Sequence, residues 1–311
     1  MPLLFLVCGL GLLYFGAEGL VRGASSLALR LGLSPLVVGL TIVAFGTSAP
    51  ELVVSLKSNL ASNGDLALGN VVGSNICNIG LILGLSAVIR PLRIEIDVVR
   101  HQVPIMILAS AILLVMLSDG LISRLEGGLL ISGFLVYVSF NLLRSRKEKH
   151  IPAGVLPGHP TRLGISSAFV IAGLALLILG AEVFVRGAVE TARWLHFSEA
   201  VIGLTIVAFG TSLPELATSV VAAFKGEADI ATGNVIGSNI FNILAILGTT
   251  ALARPLAAGG ISWITLVIMG ITVILVLPLF RSGFILSRIE GGIFLVIYAG
   301  YIVWLATAGA T

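Results

Sequence analysis

Two glutamates embedded in apolar sequence are the residues with the most chemistry to offer. Glu51 closes the block GLTIVAFGTSAPE, which begins at Gly39, and Glu215 closes GLTIVAFGTSLPE, which begins at Gly203; only Ala49 and Leu213 differ. Each block sets a glycine four residues before a proline, Gly46 before Pro50 and Gly210 before Pro214. Proline lacks an N–H and crowds the carbonyl four residues back, so a helix running through either block should break there. The freed carbonyls near Thr47 and Thr211, the threonine and serine hydroxyls and the two carboxylates then form a ligand set made of oxygens alone. Such a set suits a hard cation, Ca²⁺ above all, which takes about 6–8 oxygens at roughly 2.3–2.6 Å. The competing account of Glu51 is a charge at a helix N-terminus, stabilised by the helix dipole and satisfied locally. Against it, an intramembrane carboxylate costs at least about 2.5 kcal/mol, and this one recurs in a nearly verbatim frame. Two such carboxylates facing each other would repel, and one divalent ion would cancel both charges.

A second pair of blocks follows at the same offset of 164 residues, GNVVGSNICNI from Gly69 and GNVIGSNIFNI from Gly233. Asn70, Ser74 and Asn78 stand at i, i+4 and i+8, one polar stripe on one helix face, and Asn234, Ser238 and Asn242 repeat it. Amide and hydroxyl oxygens in these positions serve either interhelical hydrogen bonding or Na⁺ coordination. The offset continues in Gly16-Ala17-Glu18 with Gly180-Ala181-Glu182, in VRGA at Val21 and Val185, and in Arg90-Pro91-Leu92 with Arg254-Pro255-Leu256.

The elements that must position these residues are membrane helices. With 57% hydrophobic residues, 11% charged and a mean hydropathy of +1.12, too little polar surface remains for a soluble domain. An all-α membrane protein is expected, with about ten spans near residues 3–22, 35–57, 66–89, 102–118, 125–143, 164–185, 199–223, 230–252, 261–280 and 289–308. The first lacks a basic n-region and has a long apolar run, so it reads as a span and not as a cleaved signal peptide. Five spans per copy is odd, so the second copy should enter from the opposite side. The result is a 5+5 inverted-topology repeat, the plan of a secondary transporter. The expected organisation is a first repeat over 1–143, a Pro- and Gly-bearing connector over 144–163 and a second repeat over 164–311. With both termini outside, thirteen of the 18 Lys and Arg fall on the cytoplasmic side, and the connector RSRKEKH supplies several of them. The expected location is therefore the plasma or inner membrane, with the linker cytoplasmic.

Other recurrent polar residues have local explanations. Ser123 with Glu126 and Ser287 with Glu290 match the capping box. Asp65 and Asp229 read as N-caps, and Ser34-Pro35 as a cap followed by proline at the first helical position. Glu18 should pair with Arg22, and Glu182 with Arg186, one turn on. Cys8 and Cys77 have no metal-ligand spacing and are assigned to packing, and His150 and His159 to solvent.

Taken together, GTS-x-PE followed by GN-x-x-GSNI, found twice and in order, resembles the cation/calcium antiporters, which include the sodium/calcium exchangers. The resemblance covers both halves. It implies a bundle in which the second, third, seventh and eighth helices surround the ions while the first and sixth slide to alternate access. Carried over by position, it implies Ca²⁺ held by Glu51, Glu215 and the Thr47 and Thr211 carbonyls. The Na⁺ sites would draw on Ala44, Ser48, Ser74, Ala208, Ser212 and Ser238, with Asn78 and Asn242 beside them. Some members carry aspartate where this chain has Asn242, a feature that goes with potassium dependence in some branches, so this chain is expected to be potassium-independent. The expected function is Ca²⁺/Na⁺ antiport with no enzymatic step and no cofactor beyond the transported ions. A Ca²⁺/H⁺ antiporter, or one for another divalent cation, is the nearest competitor. Expected partners are cations and membrane lipid, not nucleic acid, and the expected working unit is a monomer.

Overall fold

The computed structural model describes residues 2–147, 163–195, 208–257 and 260–308. It is mostly helical. Helix α1 runs Pro2–Leu31, followed by the bent pair α2 (Pro35–Thr47) and α3 (Ala49–Leu60), then α4 (Gly64–Ile89), α5 (Val98–Asp119) and α6 (Arg124–Lys147). The second copy supplies α7 (Leu163–Trp194), a short turn Ala208–Gly210, α8 (Leu213–Lys225), α9 (Ala228–Ala253), α10 (Trp263–Arg281) and α11 (Arg288–Ala308). Among the described residues eight helices are long and apolar enough to cross a membrane, or nine if the bent pair counts as one span. The expected span at 199–223 lies partly outside the described residues, as do His150 and His159. The α2/α3 pair bends by 46° with Ser48 at the break, where the proline argument put it. Helices α4 and α9, which carry the polar stripes, are the most buried spans, at 72% and 89% of their most apolar windows.

Two features depart from an all-α expectation. Arg90 and Arg254 precede prolines and take extended backbone, φ −146° and −152°, because the proline ring clashes with a helical residue before it. Helices α4 and α9 therefore stop, and two-residue strands follow: β1 (Leu92–Arg93), β2 (Leu121–Ile122), β3 (Leu256–Ala257) and β4 (Ile285–Leu286). Leu92 pairs with Leu286 and Ile122 with Leu256, both antiparallel. Exchanging the copies at the 164-residue offset maps one ladder onto the other. The second departure is π-helical backbone, at Gly39–Val43, Asn78–Leu83, Val98–Gln102 and Asn242–Leu247, which no sequence periodicity anticipated.

The chain divides into two compact units whose boundaries fall inside helices. The first comprises Met1–Thr47 with Leu135–Gly237, the second Ser48–Phe134 with Ser238–Thr311. In the first, α1 and α7 lie against each other along their lengths. A Cβ on Gly16 would stand 2.8 Å from the Leu177 nitrogen, and one on Gly173 2.6 Å from that of Leu20, so only glycine permits this backbone approach. Helix α2 packs its Leu36–Leu40 segment against Gly233 of α9. In the second unit α3 packs on α4, α5 on α10 and α11 on the C-terminal part of α4.

The caps are partly as expected. Ser123 and Ser287 make reciprocal capping boxes, with their backbone nitrogens donating to Glu126 and Glu290 at 2.8 and 2.7 Å, and Ser34 caps α2 by accepting from Val37. Asp65 and Asp229 are not N-caps. Asn63 occupies that position for α4 and accepts from the Leu66 nitrogen, while Asp65 lies one turn in and accepts from the Gly260 nitrogen at 2.8 Å. At α9 the Glu227 carbonyl begins the helix by accepting from Ala231, directly after Gly226 closes α8 in the left-handed conformation, φ 80°. Glu18 pairs with Arg22 at 2.6 Å as expected, and also with Lys225 at 3.2 Å. Cys77 is buried, but Cys8 is exposed on α1, because its face of the helix is not the one that meets α7.

Candidate cation site

In the second unit the site begins at the break before α3. Ser48 sits at the N-cap with φ −82° and ψ 9°, Pro50 occupies the first turn, and Glu51 follows it with 1% of its surface exposed. The positive end of the helix dipole is the one place on α3 where a buried carboxylate gains from the backbone. Asn70 on α4 fastens this turn: its Nδ2 donates to the Glu51 backbone carbonyl at 3.3 Å and to Ser55 Oγ at 3.0 Å. Ser55 in turn donates to the Ala67 carbonyl. Ser48 Oγ and Ser238 Oγ are hydrogen-bonded at 3.0 Å, and both are fully buried. Ser74 is buried on α4, and Asn78 and Asn242 open the π segments of α4 and α9. Among the described residues no hydrogen bond reaches Asn78 Oδ1 or Asn242 Oδ1, although both are buried. An orphaned buried acceptor costs about 1–3 kcal/mol, and π-helical turns concentrate where function outweighs regularity.

The first unit holds the equivalent arrangement around Glu215. Ser212 stands at the N-cap of α8 with φ −86° and ψ 4°, Pro214 is in the first turn, and Glu215 is 1% exposed. Asn234 on α9 donates to the Glu215 backbone carbonyl at 3.3 Å and to Ser219 Oγ at 2.9 Å. Its Oδ1 accepts from Thr47 Oγ1 at 3.1 Å, and that hydroxyl also reaches the Val43 and Ala44 carbonyls. Ala44 and Thr47 are buried in the last turn of α2. Ala208 begins the short turn that precedes α8, and Thr211 lies in the interruption between them, half-buried. Every oxygen type needed for a hard cation is therefore present in each unit. Among the described residues no group of three or more His, Cys, Asp and Glu comes together.

The sodium/calcium exchanger protein family matches residues 1–143 and 165–307. The chain belongs to this family. The exchanger is 40% identical over 314 residues to CaxA of Alkalimonas amylolytica, with 96% of each chain covered. It is 34% identical over 341 residues to the sodium/calcium exchanger MaX1 of Methanosarcina acetivorans, with 97% of each covered. Its fold is similar to that of the sodium-calcium exchanger NCX_Mj, with a TM-score of 0.85, 34% identity and 98% of each chain covered. The chain is thus a multi-pass integral membrane protein of the cation/calcium antiporters, a transporter and not an enzyme.

The exchanger keeps Ser48, Glu51, Ser74, Asn78, Ser238 and Asn242 in its second unit and Ala44, Thr47, Ala208, Thr211, Ser212 and Glu215 in its first. Three residues in the surroundings escaped the sequence reading. Ser55 and Ser219 stand four residues after the glutamates, and the recurrence of Glu-x-x-x-Ser at the common offset was the signal that could have found them. Asn75 follows Ser74 in GSNI; its Oδ1 accepts from Asn242 Nδ2 at 3.0 Å and its Nδ2 donates to the Asn239 carbonyl at 3.4 Å.

Proposed function

We propose that this exchanger moves Ca²⁺ against Na⁺ by alternating access, with the charges of Glu51 and Glu215 neutralised in turn by Ca²⁺ and by Na⁺. The observation that carries this reading is a constellation built twice: a buried first-turn glutamate behind a proline break, its own backbone carbonyl held by an asparagine from the next helix. Each copy commits an asparagine and a serine to fixing that turn, Asn70 with Ser55 and Asn234 with Ser219, which a glutamate serving only as a helix-end charge would not require. Ca²⁺ would draw on Glu51, Glu215 and the Thr47 and Thr211 carbonyls. Na⁺ would draw on Ala44, Ser48, Ser74, Asn78, Ala208, Ser212, Ser238 and Asn242. The hydroxyl and amide oxygens favour Na⁺ over a proton as the counter-ion, because they coordinate a metal ion but are poor proton acceptors. With either load the site carries little net charge; empty, it meets an apolar barrier to crossing, which couples the two fluxes.

The proposed scaffold is ten spans in a 5+5 inverted repeat with both termini outside, the linker cytoplasmic and a monomer as the working unit. The mutual mapping of the two strand ladders under exchange of the copies supports the repeat within that scaffold. The test is Ca²⁺ uptake into proteoliposomes driven by a sodium gradient at fixed pH, compared with uptake driven by a pH gradient without sodium. Sodium-driven uptake alone is the expected result. Uptake driven only by the pH gradient would make the counter-ion a proton, and uptake needing neither gradient would replace antiport by a channel.

A further inference from the structure

Asn75 is completely buried on α4, and nothing in the proposed ion set uses it. Its Oδ1 accepts a hydrogen bond from Asn242 Nδ2 at 3.0 Å, and its own Nδ2 donates to the Asn239 carbonyl at 3.4 Å. All three residues lie in the second unit. A carboxamide is two-faced: one rotation of its terminal torsion presents oxygen, the other an NH₂ group. For a residue beside a cation the difference is one of sign, since the carbonyl oxygen attracts the ion and the NH₂ repels it. Asn242 Nδ2 is occupied by Asn75, which leaves Asn242 Oδ1 as the end of the amide that no hydrogen bond reaches among the described residues. Turning the amide over would set its oxygen against Asn75 Oδ1 at hydrogen-bond distance, two acceptors with no proton between them. Asn75 could follow only by rotating as well and releasing the Asn239 carbonyl.

We propose that Asn75 is a positioning residue that locks the Asn242 amide with its oxygen free for the transported cation, Na⁺ in the cycle proposed above. The inference rests on that reading and deepens it: the chemistry at position 242 is set jointly by residues 242 and 75. An aspartate at 75 keeps the acceptor for Asn242 Nδ2 while turning its other oxygen toward the Asn239 carbonyl, which lowers the cation-free melting temperature without freeing the 242 amide to turn, whereas alanine removes the acceptor.

The test uses the full chain, wild type and the variants Asn75→Ala, Asn75→Asp, Asn242→Ala and Asn75→Ala/Asn242→Ala. Each is measured by thermal stabilisation on titrating Na⁺ or Ca²⁺ and by sodium-driven Ca²⁺ flux. Asn75→Ala is expected to raise the half-saturating Na⁺ concentration about tenfold, as for the loss of one polar ligand, with the maximal flux changed much less. Asn75→Asp is expected to stay within about threefold of wild type. In the Asn242→Ala background, Asn75→Ala is expected to add nothing to the Na⁺ dependence, because no amide remains to orient. Equal losses in both backgrounds, or an unchanged Na⁺ dependence in Asn75→Ala, would overturn the proposal. If Asn75→Ala does not fold, Asn75→Asp decides alone: a tenfold or greater weakening of Na⁺ stabilisation overturns the proposal, and retention supports it. Failure of the parent reading is seen separately: wild type driven only by a pH gradient refutes the sodium cycle, while thermal stabilisation of the same variants by Na⁺, which reads binding and not transport, still judges Asn75. Wild type stabilised by neither cation overturns both.

Discussion

Replacing Asn234 by alanine should loosen the turn that carries Glu215, by an amount that follows from its hydrogen bonds. The fully buried Asn234 side chain accepts from Thr47 Oγ1 at 3.1 Å and donates to the Glu215 carbonyl at 3.3 Å and to Ser219 Oγ at 2.9 Å. Thr47 retains the Val43 and Ala44 carbonyls, so its share is the net worth of one bond, about 0.5–1.5 kcal/mol. Ser219 loses a neutral partner of similar worth. The Glu215 carbonyl loses the donor supplied by α9 but stays within the ladder of α8, so its share too is the net worth of one bond, about 0.5–1.5 kcal/mol. The expected total is about 2–4 kcal/mol, or a fall of roughly 4–8 °C in apparent Tm at about 2 °C per kcal/mol for a chain this long. Ser219→Ala, which removes a single bond, should cost about 1 kcal/mol. Asn234→Asp keeps the acceptor for Thr47 but aims an oxygen at the Glu215 carbonyl, so it should be at least as damaging as alanine near neutral pH and recover as the pH falls. The assay is thermal unfolding of the detergent-solubilised chain, followed by intrinsic fluorescence. If Asn234→Ala melts within 2 °C of wild type, or Ser219→Ala falls as far as Asn234→Ala, the turn is not held in the manner described.

Glu51→Gln should abolish sodium-driven Ca²⁺ flux while leaving yield and apparent Tm at or above wild type, since it removes a buried charge and keeps the shape; Ca²⁺ flux persisting in this variant would refute the role given to the carboxylate. Glu227, between α8 and α9, has its carboxyl raised above the ordinary glutamate value of 4.5, first by burial and then by the neighbouring charge of Asp229. A carboxyl with a raised folded-state pKa contributes stability below its ordinary pKa, and that contribution is lost as pH rises through the raised value. Glu227→Gln should therefore melt like wild type in acid and above it at neutral pH. A lower melting temperature for the variant at pH 7 would count against that environment.

The spans that were legible in the sequence are those whose evidence is local. Gly46 and Pro50 are four residues apart, and the 46° break falls between Thr47 and Ala49 as backbone sterics require. The capping boxes at Ser123 and Ser287 follow the same logic, because each is closed within four residues. What the sequence did not reveal depends on partners distant in the chain. Asp65 looked like a cap from its neighbours, yet its carboxylate is taken by the backbone of Gly260, 195 residues away, and Asn63 caps the helix instead. Helix α1 continues to Leu31, past the Arg22 that ended the apolar run, because Ala and Leu resume after it and the chain turns only at Gly32, φ 63°. The π segments were invisible for a different reason: one extra residue in a turn leaves composition and polarity unchanged, so Asn78 and Asn242 were found as polar repeats but not as the start of widened helix.

The two copies agree in contacts as well as in residues, and the places where they disagree carry the information about energy. Exchanging copies turns the Asn70–Glu51 bond into the Asn234–Glu215 bond at the same 3.3 Å, and each strand ladder into the other. In the alternating-access cycle proposed above, contacts that survive the exchange contribute equally to the two conformations related by it, so they do not decide which is populated. Ligand binding then shifts the balance by its differential affinity alone. The Glu18–Lys225 pair does not survive: Glu18 corresponds to Glu182, but Lys225 corresponds to Ala61, which has no charge to offer. Asn242 and Asn78 survive as residues, yet the hydrogen bond from Asn242 Nδ2 draws on Asn75 Oδ1. If the proposed cycle holds, a difference in energy between its two faces originates in such unmatched contacts, because the matched ones cancel by construction.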